Sequence, residues 1–273
     1  MTAESTTFIR DTFTSYAAVG DSFTEGVGDP GPDGTFVGWA DRLAVLLDDR
    51  VPEHTFRYAN LAVRGKLLDQ IVADQVPLAK KLGPDFLTFC AGGNDIIRPG
   101  TDPDEVAERF ERAVADLTSA VGTVMVTTGF DTRAMPVLKH LRGKIATYNG
   151  HVRAIADRYG CPVLDLWSLK TIQDRRAWDG DRLHLSAEGH TRVALRAAQV
   201  LGLEVPADPD QPWPTQPPRG TLEVRRDDLH WAREYLVPWI GRRLRGESSG
   251  DHVEAKGSVD PYTVRMHIEA AAS

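Results

Sequence analysis

The chain has 273 residues, enough for one large domain or for one domain with an appendage. Hydrophobic residues make up 41% of it and charged residues 26%, as in ordinary soluble globular proteins. The formal net charge of -7 argues against a nucleic-acid-binding protein, because such proteins usually present a basic face.

Cysteine content and the N-terminal stretch indicate the compartment. The two cysteines, Cys90 and Cys161, border apolar runs, so a disulfide framework is not expected. Residues 1–16 lack the continuous apolar stretch of a signal peptide. No run approaches the ~18 apolar residues of a membrane span. We therefore expect a cytoplasmic protein without an integral membrane segment.

Five short runs are predicted to be β-strands because they are rich in β-branched or aromatic residues and end at Gly, Pro or Asp. They are Tyr16–Val19, Phe56–Val63, Phe86–Ala91, Thr123–Thr128 and Pro162–Leu166. Segments long enough for crossover helices separate them, which is typical of a parallel sheet with helices on both faces. Ligands of such sheets bind beyond the carboxyl ends of the strands.

Two of the predicted helices carry clear start signals. One is predicted to follow Asp102 as its N-cap, to have Pro103 at its first position and to end at Gly122. The other is predicted to begin at Ser186 and to stop at Gly202. The first would be a crossover helix of the α/β domain, and the second would follow the last predicted strand.

The chain changes character after Gly202. Six prolines between 204 and 220 predict a linker or a strap across the domain. An amphipathic helical segment is predicted to follow, kinked at Pro238 and basic at Arg242, Arg243 and Arg245, and docked on its own domain. The predicted division is an N-terminal extension at 1–15, the main domain at 16–203, the strap at 204–220, the helical segment at 221–246 and a flexible tail at 247–273.

The first predicted strand ends in the sequence GDSFTEG, which sets polar side chains between glycines. Such a turn can simply end a strand, and it can also present Ser22 as a nucleophile. A serine hydroxyl then needs a neighbouring base, usually an imidazole held by a carboxylate. Asp181 and His184 have a spacing that lets the carboxylate reach one ring nitrogen and leaves the other for Ser22. His190 lacks an equally placed acid and is interpreted as structural or supporting.

Acyl transfer also needs donors that meet the negative charge on the carbonyl oxygen. Asn94 follows the third predicted strand on a Gly92-Gly93 turn and can offer its side-chain amide. Gly65 follows the second strand and can offer its backbone N–H. Alone, these residues suit a helix cap and an ordinary turn. Together with Ser22 and His184 they occupy equivalent places in the α/β pattern, which favours a common site.

The four blocks resemble those of the SGNH hydrolases, also called the GDSL esterase/lipase family. The matching blocks are GDSFTEG with Ser22, NLAVRG with Gly65, GGND with Asn94, and DRLH with Asp181 and His184. The similarity covers about 16–203, and the departure is Phe23, where the family name expects leucine. The resemblance implies a flavodoxin-like three-layer α/β/α sandwich with a central five-stranded parallel sheet, here followed by the Pro-rich strap and the C-terminal helix.

The resemblance also implies a mechanism. Ser22, His184 and Asp181 would form a catalytic triad that hydrolyses carboxylic esters or thioesters through an acyl-enzyme, with neither a metal nor an organic cofactor. The oxyanion hole would comprise the N–H groups of Ser22 and Gly65 and the side chain of Asn94. The residues expected to support it are Asp21, Arg64 and Asp95. The expected partner is a small-molecule ester, and monomer and homodimer both stay open.

Two other functions fit parts of the pattern. A metal-dependent phosphoesterase would use Asp21, Asn94, Asp95 and His184 as ligands, but it leaves Ser22 and Asp181 unexplained. A ligand-binding protein could keep the fold without the reaction, although the complete set of residues argues against this. The acyl and alcohol groups stay undetermined. Short acyl esters are the first expectation, because no long apolar segment suggests a lipid-docking surface.

Overall fold

The computed structural model describes residues 12–31, 34–52, 55–135, 137–217, 220–238, 241 and 248–272. A six-stranded sheet forms its centre, made of β1 (Ser15–Gly20), β2 (Arg57–Asn60), β3 (Phe86–Cys90), β4 (Thr123–Thr127), β5 (Val163–Leu164) and β6 (Gly257–Ser258). The order across the sheet is β5-β4-β3-β1-β2-β6, in which the first five strands are parallel and β6 is antiparallel. The parallel part has the flavodoxin order, which confirms the predicted fold class.

Helices cover both faces of the sheet. Up to the strap they are α1 (Ser22–Glu25), α2 (Trp39–Asp48), α3 (Leu68–Asp74), α4 (Val76–Leu82), α5 (Gly93–Ile96), α6 (Pro103–Thr118), α7 (Arg142–Tyr159) and α8 (Ala187–Val200). Apolar residues of α3, α4, α6 and α7 share one core with the sheet, and those of α2 and α8 share a second. These two cores on opposite faces of the sheet give the three layers.

Strand β1 shows why the sheet is buried on both sides. Tyr16 and Ala18 belong to the core under α2 and α8, whereas Ala17 and Val19 belong to the core under α6 and α7. Successive side chains of a strand point to opposite faces, so a strand between two helical layers is apolar throughout. This accounts for the continuous apolar run by which the strand is predicted.

The two helices with predicted start signals begin where expected. The Asp102 side chain accepts the N–H of Asp104 at 2.9 Å, and the Ser186 hydroxyl accepts the N–H of Gly189 at 3.2 Å. The first helix ends at Thr118, four residues before the predicted Gly122. Its end is earlier because the N–H groups of residues 120 and 121 both turn back to the carbonyl of Leu117 and lead into β4.

The Pro-rich stretch lies on the domain and is held there largely by an arginine of α8. The Arg192 guanidinium donates to the carbonyls of Pro209 and Gln211 and lies 4.3 Å from the ring centre of Trp213. The Thr171 hydroxyl also donates to Pro209 O, at 2.8 Å. These contacts favour the strap over the linker. The predicted domain boundaries themselves stay a prediction.

The C-terminal region departs from the flexible tail expected at 247–273. Strand β6 pairs with β2, and helix α10 (Pro261–Ala272) packs Val264 against Val37 and Val45. Lys256 reaches Asp41 of α2 at 2.6 Å. The strand has only two residues, and the contacts that hold the segment are long-range, so no local pattern reveals them. The predicted basic end, Arg242, Arg243 and Arg245, lies outside the described residues.

We expect Lys256→Met to destabilise the fold strongly. Asp41 is 1% exposed, and it also accepts bonds from Tyr58 Oη at 2.9 Å and from the Gly38 N–H at 2.6 Å. Removing the cation leaves a buried carboxylate without its counter-charge, which typically costs about 3–5 kcal/mol. Urea unfolding measures the change in the free energy of unfolding.

The matched control is Arg265→Met, because Arg265 forms an ion pair with Asp49 in which both side chains are partly exposed. Surface pairs contribute about 0–1 kcal/mol. Equal, small losses in both variants would contradict a structural role for the Lys256 ion pair.

Candidate active site

The site lies where the order of the strands reverses. Strand β1 has β2 on one side and β3 on the other, so the chain leaves β1 and β3 toward different helical layers. Such a switch point opens a crevice beyond the carboxyl ends of the two strands. Ser22 follows β1, and Asn94 follows β3, so both belong to this crevice.

The turn after β1 presents Ser22 as the first residue of α1. The Asp21 side chain caps this helix by accepting the N–H of Phe23 at 3.1 Å. Gly26 ends the helix in the left-handed conformation, and its N–H donates to the Ser22 carbonyl at 3.1 Å. The position of Ser22 is therefore fixed by hydrogen bonds on both sides of a single helical turn.

The segment before α8 pairs an acid with an imidazole. Asp181 Oδ2 lies 2.5 Å from His184 Nδ1, and Asp181 Oδ1 accepts the N–H groups of Leu183 and His184, each at 2.9 Å. Burial alone would raise the pKa of Asp181, but the hydrogen bond and charge of His184 outweigh burial and lower it. Facing a carboxylate, Nδ1 carries the proton and leaves Nε2 free to accept another.

A close backbone approach joins the loop after α1 to this acid–base loop. Gly28 has φ of +109°, and a Cβ placed on it would lie 2.1 Å from the carbonyl oxygen of Leu185, next to His184. Only glycine fits there without displacing the chain. The close approach brings the nucleophile turn and the histidine to the same end of the sheet.

Ser22, Asn94 and His184 share the wall of one cavity of about 880 Å³, counting the space at its open mouth. Most of its other wall residues are apolar. These are Phe23, Ala91, Ile96, Ile97, Phe130, Leu138, Ile145, Tyr148, Leu166 and Leu183. Sequence reasoning missed Phe130 and Leu138, because the irregular segment 128–141 has no periodic pattern, and it also missed Ile145 in the first turn of α7. The cavity thus places an apolar volume beside a hydroxyl and an imidazole.

Asn94 is held by its neighbours in the site. Its amide Nδ2 donates to Asp21 Oδ2 at 3.0 Å and to the carbonyl of Lys66 at 3.1 Å. Burial raises the pKa of Asp21 to about 6, although its hydrogen bonds with Phe23 and Asn94 and the charge of His184 act in the opposite direction. Asp21 therefore connects the nucleophile turn to the third block.

Gly65 is placed beside the crevice, but it is not among the described residues that form the cavity wall. It has φ of +73°, and a Cβ on it would lie 2.1 Å from Ser248 Oγ of the C-terminal region. Its neighbour Arg64 donates its backbone N–H to Glu25 Oε2 at 2.6 Å and its Nε to Glu25 Oε1 at 3.0 Å. Glu25, which sequence reasoning left without a role, ties the second block to α1.

Asp95 points away from the cavity. Its Oδ2 accepts the N–H of Leu68 at 2.9 Å, and its Oδ1 lies 3.6 Å from the Arg109 guanidinium. Burial raises its pKa, opposed by the bond from Leu68. Within the part of the chain that the structure describes, no three His, Cys, Asp or Glu side chains are grouped as metal ligands. Of the four ligands of the phosphoesterase alternative, Asp21, Asn94 and His184 line the cavity, whereas Asp95 lies apart from them.

His190 has both ring nitrogens engaged in the interior. Nδ1 accepts the N–H of Trp39 at 3.2 Å, and Nε2 donates to the Val27 carbonyl at 3.3 Å. Burial lowers the pKa of His190 to about 3, so the ring stays neutral. This arrangement links α8 to α2 and to the loop after α1.

Residues 18–192, more than half of the chain, match the model of the GDSL-like Lipase/Acylhydrolase family. The chain belongs to this family. The resemblance found from the sequence blocks is thereby confirmed, and membership makes the chain a carboxylic ester hydrolase of the GDSL type.

Three proteins similar to this GDSL hydrolase are each less than 30% identical to it. The uncharacterized protein YpmR of Bacillus subtilis (strain 168) is 26% identical over 69% of this chain and 81% of its own. The α/β hydrolase LAE5, from the metagenome of Lake Arreo in Spain, is 24% identical with a TM-score of 0.58, covering 69% of this chain and 95% of its own. At this identity the structural likeness supports the fold alone.

A second solved structure is the acetylxylan esterase Axe2 of Geobacillus stearothermophilus. It is 22% identical with a TM-score of 0.57, covering 71% of this chain and 96% of its own. Its structures include catalytic mutants in which a serine, an aspartate and a histidine are each replaced by alanine.

Among the described residues of the present chain, none of the helices has the length and apolar character needed to cross a membrane.

We predict that Asp21→Asn gains stability relative to the wild type as pH rises. Because the pKa of Asp21 is raised from 3.8 to about 6, the folded state holds this proton more tightly than the unfolded chain. Ionisation between about pH 4 and 6 therefore costs the wild type stability that the variant does not lose. At 1.36 kcal/mol per pKa unit, the difference should grow by about 3 kcal/mol and level off above about pH 7.

Urea unfolding of both proteins from pH 4 to pH 8 measures this difference. Asp157→Asn, which removes an exposed carboxyl on α7, is the matched control and should show no such trend. A constant difference between Asp21→Asn and wild type, or one that shrinks with rising pH, would contradict the raised pKa of Asp21.

Proposed function

We propose that the protein cleaves carboxylic esters through an acyl-enzyme on Ser22, with His184 as the base and Asp181 as its orienting carboxylate. The observation that carries this proposal is the shared cavity wall of Ser22 and His184, with Asp181 hydrogen-bonded behind the ring at 2.5 Å. A nucleophile, a base and an orienting acid in this order are the elements of serine hydrolase catalysis.

The reaction then runs in two halves. His184 Nε2 takes the proton of Ser22 Oγ as that oxygen attacks the ester carbonyl carbon, and the imidazolium gives the proton to the leaving alcohol. Water enters, loses a proton to the same nitrogen and attacks the acyl-enzyme. The carboxylic acid leaves, and the proton returns to Ser22. Asp181 keeps its charge throughout and fixes the orientation of the ring.

Asn94 is the side-chain donor that we assign to the oxyanion. Its amide lies on the cavity wall with Ser22, and it is held by Asp21 and the Lys66 carbonyl. Donation to a tetrahedral intermediate exchanges one of these bonds for a bond to the oxyanion. The N–H groups of Ser22 and Gly65 complete the proposed oxyanion hole, and Arg64, Asp21 and Asp95 are assigned to hold its loops.

The shape of the cavity bears on the acyl group. The rings of Phe23 and Phe130 stack with centroids 6.2 Å apart, and Phe130 also packs on Trp178 at 4.6 Å. Burying apolar surface is worth about 0.8 kcal/mol per methylene. We therefore assign an apolar acyl chain longer than acetyl to this cavity, in place of the short acyl group first expected. Thioesters of such acids present the same carbonyl carbon and belong to the same proposal.

Ser22→Ala should lower kcat for a nitrophenyl ester by several orders of magnitude, because a triad without its nucleophile loses most of its catalysis. Initial rates and labelling by a fluorophosphonate probe measure the loss. Ser168→Ala removes a hydroxyl that donates to the Asp165 carbonyl on the surface and should leave both unchanged. Hydrolysis by Ser22→Ala at the wild-type rate would refute the assignment.

Among nitrophenyl esters from acetate to palmitate, kcat/KM should peak at a chain longer than acetate. Each methylene that enters the cavity adds up to about 0.8 kcal/mol, or roughly fourfold, until the space is filled. Ile145→Trp places a larger side chain on the apolar wall, which narrows the cavity and should move the maximum of kcat/KM toward shorter chains. Leu78→Trp, on an exposed position of α4, is the control. A peak at acetate in the wild type would contradict the acyl-pocket assignment.

A further inference from the structure

A helix outside the family-matched range 18–192 contacts the loop that carries Asp181 and His184. Helix α9 (Thr221–Trp231) follows the strap, and Trp231 at its end donates its indole Nε1–H to the backbone carbonyl of Asp181 at 2.7 Å. Nothing in the family blocks accounts for this bond. The bond holds Asp181 by its main-chain carbonyl, whereas the side-chain carboxylate of Asp181 faces the imidazole of His184.

The next residue of the loop is held by the same helix. The Arg182 guanidinium binds Asp228 Oδ1 at 2.5 Å and lies 5.0 Å from the centre of the Trp231 ring. The Arg182 side chain is 15% exposed and the Asp228 side chain 47%, so the arginine end of the pair is shielded from water while the carboxylate end is half exposed. Stacking on the indole and bonding to the carboxylate together fix the position and the orientation of the Arg182 guanidinium.

A third contact lies on the same side of the helical segment. Tyr235 belongs to the π-helical turn Ala232–Leu236, and its Oη lies 3.2 Å from the position of a Cβ placed on Gly180. Residues 228, 231 and 235 follow the spacing that places side chains on one helix face. One face of the segment therefore contacts three consecutive residues of the acid–base loop.

The backbone of the loop is strained at one residue. Arg182 has φ of +57°, a left-handed conformation in which the Cβ of a non-glycine residue crowds the following carbonyl oxygen. Within the loop, the Arg182 N–H donates to Asp179 O at 3.0 Å, and the Asp179 N–H donates to His184 O at 2.8 Å. These bonds close the turn from within, and the contacts of Trp231 with Asp181 and of Asp228 with Arg182 restrain it from outside.

We propose that Trp231 and Asp228 are positioning residues for catalysis, which hold the Asp181 main chain and Arg182 so that the Asp181 carboxylate meets His184. The inference rests on the proposed Ser-His-Asp mechanism. Neither residue touches the substrate, so its effect reaches the reaction only through the acid–base loop. The C-terminal helical segment then contributes to catalysis by holding the acid–base loop in place.

The experiment compares Trp231→Phe, which keeps a ring over Arg182 but removes the N–H donor, with Asp228→Asn. Misplacing a catalytic group by about 1 Å can cost 10²-fold, so kcat for a nitrophenyl ester should fall at least about tenfold in each variant. KM should stay within about twofold, because neither substituted residue lines the cavity. Labelling of Ser22 by a fluorophosphonate should slow in parallel. Leu229→Ala, at a 73% exposed position of the same helix, is the control and should change neither kcat nor the labelling rate.

A double-mutant cycle separates positioning from general stabilisation. Arg182→Gly removes the ion pair while keeping a residue that accepts positive φ, so adding Asp228→Asn should then have no further effect on kcat. All rates are divided by the number of sites that the probe labels at completion, which counts folded enzyme. A lowered melting temperature with unchanged kcat per labelled site would overturn the proposal.

Failure of this inference is distinguishable from failure of the proposed function. If the wild type hydrolyses no ester and Ser22 is not labelled, the mechanism itself is wrong. If the wild type is active, Ser22→Ala is inactive, and Trp231→Phe and Asp228→Asn keep wild-type kcat, only the positioning role is wrong.

Discussion

The arrangement of the site depends on the reversal of strand order at β1. Because β2 and β3 lie on opposite sides of β1, and the helices that follow β1 and β3 cover opposite faces, the loops leaving β1 and β3 diverge at the carboxyl edge of the sheet. The crevice is therefore a property of the topology and exists before any catalytic side chain is added. Ser22 and Asn94 need only lie within the first few residues after their strands.

Buried carboxylates then connect the loops around the crevice. Asp21 caps α1 and accepts from Asn94, Glu25 binds Arg64, and Asp95 accepts from Leu68. Asp21 and Glu25 each bridge two of the sequence blocks, and Asp95 joins the third block to α3; all three carboxylates are buried. Hydrogen bonds to charged groups are stronger than those between neutral groups, so a few such bridges can fix loops that have little apolar surface of their own.

Local signals account for the parts of the fold that the sequence predicts. Continuous apolar runs mark strands buried on both faces, and the caps at Asp102 and Ser186 mark helix starts. The side chains Ser22, Asn94 and His184 come together because they follow strands whose ends the topology aligns. Gly65, by contrast, turns to the C-terminal region at Ser248, a long-range contact that no local pattern reveals. The apolar cavity walls at Phe130 and Ile145 and the contact of Trp231 with Asp181 escape sequence reasoning for the same reason.

The short strand β6 covers one edge of the sheet. It occupies the outer side of β2 at Ala59 and Asn60, although the family-matched range ends long before it, at residue 192. A chain cut back to that range would leave the N–H and C=O groups of β2 unpaired along a sheet margin, where they can recruit a strand from another molecule. Strand β6 thus covers a sheet margin that would otherwise be open to pairing with another molecule, a structural role separate from any chemistry in the crevice.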